Sequence, residues 1–320
     1  MAAQNPPFET RILASDAAGI AEAARLIGAG LPVAVPTETV YGLAADATDP
    51  DAVARIYEAK GRPGFNPLIV HVRDVEQAAL YADLAGPARA VAEAFWPGAV
   101  TLVVPLRPGS GLAPAVTAGL PTVALRCPAH PAMRALLEAS GRPLAAPSAN
   151  ASGGMSPTAA DHVLKSLGGR IPLILDGGAT ALGIESTIVG FADGGVALLR
   201  PGPVALADIA AAAGLPEAVA RAGIQAPGQL ASHYAPSKPL RLDARAAEPD
   251  EWLIGFGEVR GDDTLSVAGD ASEAAARLFA ALHRAERSDK PRIAVAPIPD
   301  AGAGHAINDR LRRAAAPRRL

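Results

Sequence analysis

Between Val33 and Val72 the chain reads VAVPTETVYGLAADATDPDAVARIYEAKGRPGFNPLIVHV, and the local signals in this stretch permit few layouts. The apolar run Val33 to Val35 is a strand that Pro36 ends, because proline cannot donate to a sheet ladder. A turn of small hydroxyl residues, Thr37 and Thr39, leads to Tyr41 and Gly42. Asp49 followed by Pro50 predicts a helix start, with a side-chain cap and a first helical residue that needs no amide donor. Gly61 predicts the helix end after Lys60, and Pro63 forbids continuation. A second strand, Leu68 to Val72, carries His71. Two strand ends and one helix end thus bring hydroxyls, the cations Lys60 and Arg62, the amide of Asn66 and an imidazole towards one place. That grouping suits an anion, with room for a small polar molecule beside it.

The remainder alternates strands with helices. Strands are expected at Thr10 to Ala14, Thr101 to Val104, Thr122 to Arg126, Leu144 to Ala146, Ile171 to Leu175, Thr187 to Phe191 and Val196 to Leu199. Between them, helices are expected after Ser15, over Asp74 to Ala82, Pro87 to Phe95 and His130 to Ala139, and after a Thr158 cap; Leu206 to Ala213 and Pro216 to Ala222 then close the unit. Pro108 to Gly119 reads as a loop. Such interleaving implies an α/β fold with a largely buried, twisted sheet. Residues 224–239, with three prolines and no apolar period, read as a linker, leaving residues 1–223 before it and a smaller α/β unit, 240–320, after it. In that second unit Glu251 to Phe256 and Arg292 to Ala296 are the expected strands and Ala271 to Arg287 and His305 to Ala315 the helices. Arg310, Arg312, Arg313, Arg318 and Arg319 read as a solvated helix face and frayed end.

Composition narrows the chemistry. A formal charge of −3 does not describe a polycation built for nucleic acid. One cysteine, Cys127, excludes an internal disulfide and a cysteine-rich zinc site, and fits a reducing, cytoplasmic setting. No basic-then-apolar leader opens the chain, and no apolar run approaches the ~20 residues of a membrane span. No Gly-Lys pair occurs, so a P-loop is excluded; the glycine pairs at 255/257 and 302/304 lack the third glycine of a dinucleotide fingerprint. Neither an H-E-x-x-H nor a G-x-S-x-G motif is present. Any nucleotide site must therefore be a cradle of cations and amides from separate loops, for which Lys60, Arg62, Asn66, Ser148, Asn150, Ser156 and Arg200 are the candidates.

The blocks PTETVYGL, KGRPGFNPL, IVHV, SANASGGMSPT (Ser148 to Thr158), ESTIV (Glu185 to Val189) and LLRPG (Leu198 to Gly202) occur in one order over roughly two hundred residues. Together they resemble the L-threonylcarbamoyladenylate synthases of the YrdC/YciO-like superfamily, in the long form that carries a further C-terminal domain. The resemblance implies a twisted open mixed sheet with a concave face, followed by a small Rossmann-like domain. It implies a nucleotidyltransferase that joins L-threonine, bicarbonate and ATP and releases pyrophosphate. Threonine-pocket roles carry over to Thr39, His71, Arg126, Ser148 and Ser186, with Arg126 on the substrate carboxylate. Nucleotide roles carry over to Lys60, Arg62, Asn66, Thr122, Asn150, Ser156, Thr158, Arg200 and Tyr234, the last as a lid from the linker, with Lys60 and Arg62 at the chemical step. Mg²⁺ would accompany the ATP with no metal site in the protein. The implied partner is a threonylcarbamoyl transferase complex acting on the tRNA adenosine beside the anticodon, with tRNA itself a further contact. A concave basic sheet face would also serve a double-stranded RNA-binding module of the same fold, which the acidic net charge disfavours. A carbamoyl-transferring maturation enzyme would need zinc-binding cysteine pairs that one cysteine cannot supply.

Overall fold

Asp49 caps a helix as its sequence predicts: its side chain accepts from the amides of Asp51 and Ala52, Pro50 opens the helix, and Gly61 closes it at φ 58° in the left-handed region. The computed structural model describes residues 7–220, 223, 225–229 and 232–317. Its first unit contains β1 (Arg11–Ala14), β2 (Val33–Val35), β3 (Gly42–Asp46), β4 (Ile69–His71), β5 (Val100–Pro105), β6 (Thr122–Arg126), β7 (Leu144–Ala145), β8 (Leu173–Asp176), β9 (Thr187–Ala192), β10 (Gly195–Arg200) and β11 (Glu217–Ala218). These form one mixed sheet in the order β1-β8-β2-β3-β7-β4-β6-β5-β9-β10-β11. Helices α1 (Ala17–Gly28), α2 (Pro50–Lys60), α3 (Val75–Tyr81), α4 (Gly86–Phe95), α5 (Pro114–Thr117), α6 (Pro131–Ser140), α7 (Ala160–Leu167) and α8 (Leu206–Ala213) accompany it. Two apolar clusters sit against the sheet, one built on Leu43, Ile56, Leu102 and Leu125 and one on Ile27, Met133, Leu136 and Leu173.

The second unit is a parallel sheet of β12 (Leu240–Arg241), β13 (Glu251–Gly255), β14 (Asp263–Thr264) and β15 (Arg292–Val295) in the order β12-β15-β13-β14, with α9 (Ala271–Arg287) and α10 (Ala303–Ala315). Its apolar cluster does not stop at its own residues. Val40, Met155, Ile184 and Tyr234 pack in the same cluster as Leu278, Phe279 and Ile307. Gly183, at φ 67°, lets the loop after β8 approach α9 so closely that a Cβ there would lie 2.3 Å from the Ala276 carbonyl oxygen. His162 of α7 stacks on His283 of α9 with ring centroids 3.8 Å apart, and His283 Nε2 lies 3.2 Å from the Ser156 carbonyl oxygen.

Several local expectations are corrected. Asp16, not Ser15, caps α1. The short helix α5 interrupts the loop expected over Pro108 to Gly119. Ala159, not Thr158, is the residue before α7, and it makes no side-chain cap. Where a helix is expected over Pro216 to Ala222, Glu217 and Ala218 pair in parallel with Val196 and Ala197 of β10; residues 221, 222 and 224 lie outside the described residues. Strand β3, absent from the sequence reading, pairs antiparallel with β2 and β7. Arg310 is 1% exposed rather than solvated, while Arg318 and Arg319 lie outside the described residues.

The stacked histidines make acid a test of this packing. Burial holds His162 down to about 4 and His283 down to about 3, from an ordinary 6.5. The unfolded chain therefore takes up protons that the folded chain refuses, and their contribution to stability is complete above the ordinary value and lost as pH falls through the folded values. Urea midpoints should fall steadily as pH drops from about 6.5 to about 4, and His162→Phe/His283→Phe should flatten that slope.

Candidate functional site

Sheet register assembles the site. His71 of β4 and Arg126 of β6 are direct partners in a parallel ladder, so the imidazole and guanidinium rise from neighbouring positions. Gly42 bridges Ser148 in antiparallel fashion just beyond β7, which brings the Ser148-Ala149-Asn150 turn to the same end. On the other side, β9 and β10 pair antiparallel with a shift between Leu198 and Arg200, an irregularity that re-aims the last side chain of β10. These ends enclose a hollow of about 50 Å³. Thr39, Arg62, His71, Arg126, Ser148, Ser186, Arg200 and Tyr234, all expected from sequence, line it.

Each arginine is fixed by named acceptors. Arg62 donates from Nε to the Asn66 carbonyl at 3.1 Å and from Nη2 to the Pro67 carbonyl at 2.8 Å. Burial lowers it to about 10, against the opposing pull of the Tyr57 hydroxyl. Arg200 donates from Nε and Nη2 to the Ser186 carbonyl at 3.1 and 2.9 Å, and from Nη2 to the Ser186 hydroxyl at 3.1 Å. Burial lowers it too. Arg126 donates to the Gly98 carbonyl, to Thr39 Oγ1 at 2.9 Å and to Glu38 Oε1 at 2.6 Å. Thr39 Oγ1 in turn lies 2.8 Å from Thr37 Oγ1. Burial depresses His71 to about 3, so its ring is neutral, and its Nδ1 has no protein partner among the described residues.

The other expected residues do not line the hollow. Lys60 is 2% exposed and donates to the carbonyls of Ser148 at 2.6 Å and Asn150 at 2.5 Å, so it ties the serine-asparagine turn to the end of α2. Burial holds its amine well below the ordinary range. Asn66 is buried, and among the described residues its Nδ2 and Oδ1 and the Oδ1 of Asn150 have no partner. Ser156 donates to Glu185, and Thr158 Oγ1 lies 3.4 Å from His162 Nδ1. Thr122 pairs with Pro105 at the opposite end of β6 from Arg126, ~13 Å along the strand.

Sequence reading missed three residues that line or brace the hollow. Glu38 accepts from Arg126 and from the amides of Ala129 and His130. Glu185 lines the hollow, as does His233, which packs edge-on against Tyr234 with centroids 4.1 Å apart. Glu38 and Glu185 each sit inside a quoted block beside a chosen hydroxyl residue, and a carboxylate among gathered cations is the signal that identifies them. Pro227 and Gly228 complete the wall, so the segment after the first unit forms a strap over the cations. A Cβ at Gly228, φ 86°, would lie 2.8 Å from both Arg200 Cδ and the Tyr234 hydroxyl, and only glycine lets the strap approach this closely.

Among the described residues no cluster of three or more histidine, cysteine, aspartate or glutamate side chains could hold a metal, and no helix is long and apolar enough to cross a membrane. A family profile for Sua5, YciO and YrdC, described as telomere recombination, matches residues 25–202. A second profile, described as the C-terminal domain of threonylcarbamoyl-AMP synthase, matches residues 204–316. The chain is 42% identical to threonylcarbamoyl-AMP synthase of Bacillus subtilis over 92% of each chain. It superposes on Sua5 of Pyrococcus abyssi, solved in complex with L-threonine, with a TM-score of 0.85 and 37% identity, covering 96% of this chain and 97% of that one. A P. abyssi Sua5 in which an adjacent histidine and tyrosine are both replaced by alanine superposes equally well, at 35% identity.

The carbonyl contacts of Lys60 yield a stability test. Lys60→Met leaves two buried acceptors without their donor, which should cost about 1–3 kcal/mol in chemical denaturation. Faster amide exchange should be confined to residues 148–152; an unchanged midpoint would show that the two contacts carry no weight.

Proposed function

The chain belongs to the Sua5–YciO–YrdC family in its two-unit form, and from that premise we propose that it is a threonylcarbamoyl-AMP synthase. The reaction joins L-threonine, bicarbonate and ATP into L-threonylcarbamoyladenylate and releases pyrophosphate and the water that bicarbonate loses as it yields carbon dioxide. The observation that carries this reading is the convergence of Arg62, Arg126 and Arg200 with threonine and serine hydroxyls on one hollow. The threonine amine captures carbon dioxide as a carbamate, and a carbamate oxygen displaces pyrophosphate at the α-phosphorus. No protein nucleophile is required. The chain's task is to align two substrates, neutralise the departing pyrophosphate and keep water out.

Division of the hollow follows from the anchoring. Arg62 and Arg200 donate to no carboxylate among the described residues and face the phosphates, drawing their fixed orientation from backbone carbonyls. Thr39, His71, Ser148 and Arg126 form the threonine side, where the neutral imidazole can accept or donate without adding charge. Arg126 then exchanges part of its contact with Glu38 for the substrate carboxylate. That P. abyssi Sua5 was crystallised with L-threonine supports this assignment. A hollow of about 50 Å³ holds no nucleotide, so the strap carrying Pro227, Gly228, His233 and Tyr234 swings outward to admit ATP and returns over it. Asn66 and Asn150 offer their unpartnered amide atoms once the strap moves.

Glu38 and Glu185 are each engaged by arginine, so the donor set does not fit a resident magnesium ion. Mg²⁺ arrives as the companion of the triphosphate and leaves with pyrophosphate. The adenylate then passes to a transferase that places the threonylcarbamoyl group on tRNA.

Incubation with ATP, bicarbonate and each amino acid in turn should release pyrophosphate with threonine only, and only when bicarbonate is present. Release without threonine would defeat the reading. Arg62→Ala and Arg200→Ala should each lower kcat/KM for ATP by about 10²–10³-fold, since each removes an oriented donor from a water-poor site.

A further inference from the structure

Arg310 stands apart from the other arginines of α10. Its neighbours at helical spacing, Ala306, Ile307 and Ala314, are buried, and its own side chain is among the most deeply buried in the protein. The guanidinium crosses to the first unit. Nε donates to Glu185 Oε2 at 2.9 Å, and Nη1 donates to the Pro201 carbonyl at 2.7 Å and to Asp309 Oδ2 at 3.0 Å. Its Cζ lies 5.4 Å from the centre of the Tyr234 ring, within cation–π range. Glu185 immediately precedes Ser186, and Pro201 immediately follows Arg200. One cation of the second unit therefore grips the start of β9, the end of β10 and the strap.

We propose that Arg310 is a positioning residue of the synthase reaction: through Glu185, Pro201 and Tyr234 it holds Ser186, Arg200 and the strap in register, so that the second unit completes the nucleotide side of a hollow built by the first. The proposal rests on the functional reading above. It also gives the second unit a role in that reaction. Its charge matters as much as its grip. Glu185 lines the hollow where phosphates are expected, and a carboxylate there repels them unless it is matched.

The groups facing Glu185 are Arg310 from α10, Arg200 from β10, and His233 and Tyr234 from the strap, with the Ser156 hydroxyl donating to it; Asp309 of α10 meets Arg310 instead. Burial pushes the Glu185 carboxyl up, and Arg310, then Arg200, outweigh burial and keep it below the ordinary carboxylate range. His233 is held down to about 3 by burial and supplies no compensating charge. Removing Arg310 leaves Arg200 as the one cation of this group. The carboxyl then rises, and Arg200 is drawn from the phosphates towards it.

The test compares full-length Arg310→Met, Arg310→Lys and Glu185→Gln/Arg310→Met with the wild type. Arg310→Met should raise KM for ATP about 100-fold, the scale of an unmatched buried charge, while KM for threonine changes less than about threefold. Its relative activity should climb as pH is lowered, because protonating Glu185 removes the repulsion; the wild type should show no such rise. The double variant should return KM for ATP to within about tenfold of the wild type, and Arg310→Lys, which keeps the charge but loses the fork, should fall between. A folded Arg310→Met or Arg310→Lys protein with wild-type KM for ATP overturns the proposal, as does a double variant no better than the single one. Where Arg310→Met does not fold, the double variant and Arg310→Lys decide. Amide exchange needs no turnover: it should quicken about tenfold at Ser186, Thr187, His233 and Tyr234 in Arg310→Lys and stay unchanged in β13 and β15. Unchanged exchange at those four positions overturns the proposal even if the wild type releases no pyrophosphate, a failure that would count against the functional reading instead.

Discussion

Placing four guanidiniums around one small hollow is the constraint on which this structure depends. Buried like charges repel, and each must recover in hydrogen bonds what it loses in hydration. The chain resolves this mainly with backbone carbonyls. Asn66 and Pro67 hold Arg62, Ser186 holds Arg200, Gly98 helps to hold Arg126, and Pro201 helps to hold Arg310. A carbonyl orients a guanidinium without cancelling its charge. Carboxylates are reserved for Arg126, on Glu38, and Arg310, on Glu185 and Asp309. The hollow thus keeps net positive character at Arg62 and Arg200, while its two flanks are neutralised. That distribution suits one polyanion beside one small zwitterion.

The same constraint accounts for Lys60. A helix-terminal lysine in a basic motif reads as a phosphate ligand, and here it instead holds the carbonyls of Ser148 and Asn150. Through those contacts it fixes the turn that presents Ser148 to the hollow and carries Asn150 beside it. Cation and turn are far apart in sequence, and only the closure of α2 against the end of β7 makes them neighbours.

Much of the architecture was legible because its signals are local. The Asp49-Pro50 start and Gly61 stop of α2, the bounds of β6, and those of α8 and α9 all follow from caps, alternation and apolar spacing. Strand β3, GLAAD, was not legible: a glycine, two alanines and an aspartate around one leucine carry no strand preference, and only pairing with β2 and β7 extends them. Likewise Glu217 and Ala218 sit in a helix-favouring run, and the free edge of β10 turns them into a strand. In the site, residues within contiguous blocks were readable. Glu38 and Glu185 were not, because a carboxylate beside a hydroxyl residue carries no local sign of the distant arginine that it balances. Arg310 was hidden by four other arginines nearby. Its spacing with Ala306, Ile307 and Ala314 places it on the apolar face, and that was the available clue.

A buried arginine on an apolar helix face needs more acceptors than its own helix gives: Asp309 supplies one to Arg310, and Glu185 and Pro201 of the other unit supply the rest. The second unit's core accordingly continues into Val40, Met155, Ile184 and Tyr234, residues that border or carry the site's own elements. Apolar burial of this kind is non-directional and would tolerate a slide of one unit across the other. The Arg310–Glu185 pair would not, because a guanidinium fork meets carboxylate and carbonyl acceptors in few orientations. Packing therefore supplies adhesion between the units, and the buried ion pair supplies register. Register is what a site assembled from β4, β6, β9, β10 and a strap requires, since a shift of an ångström at Arg200 would turn its guanidinium away from the hollow that it lines.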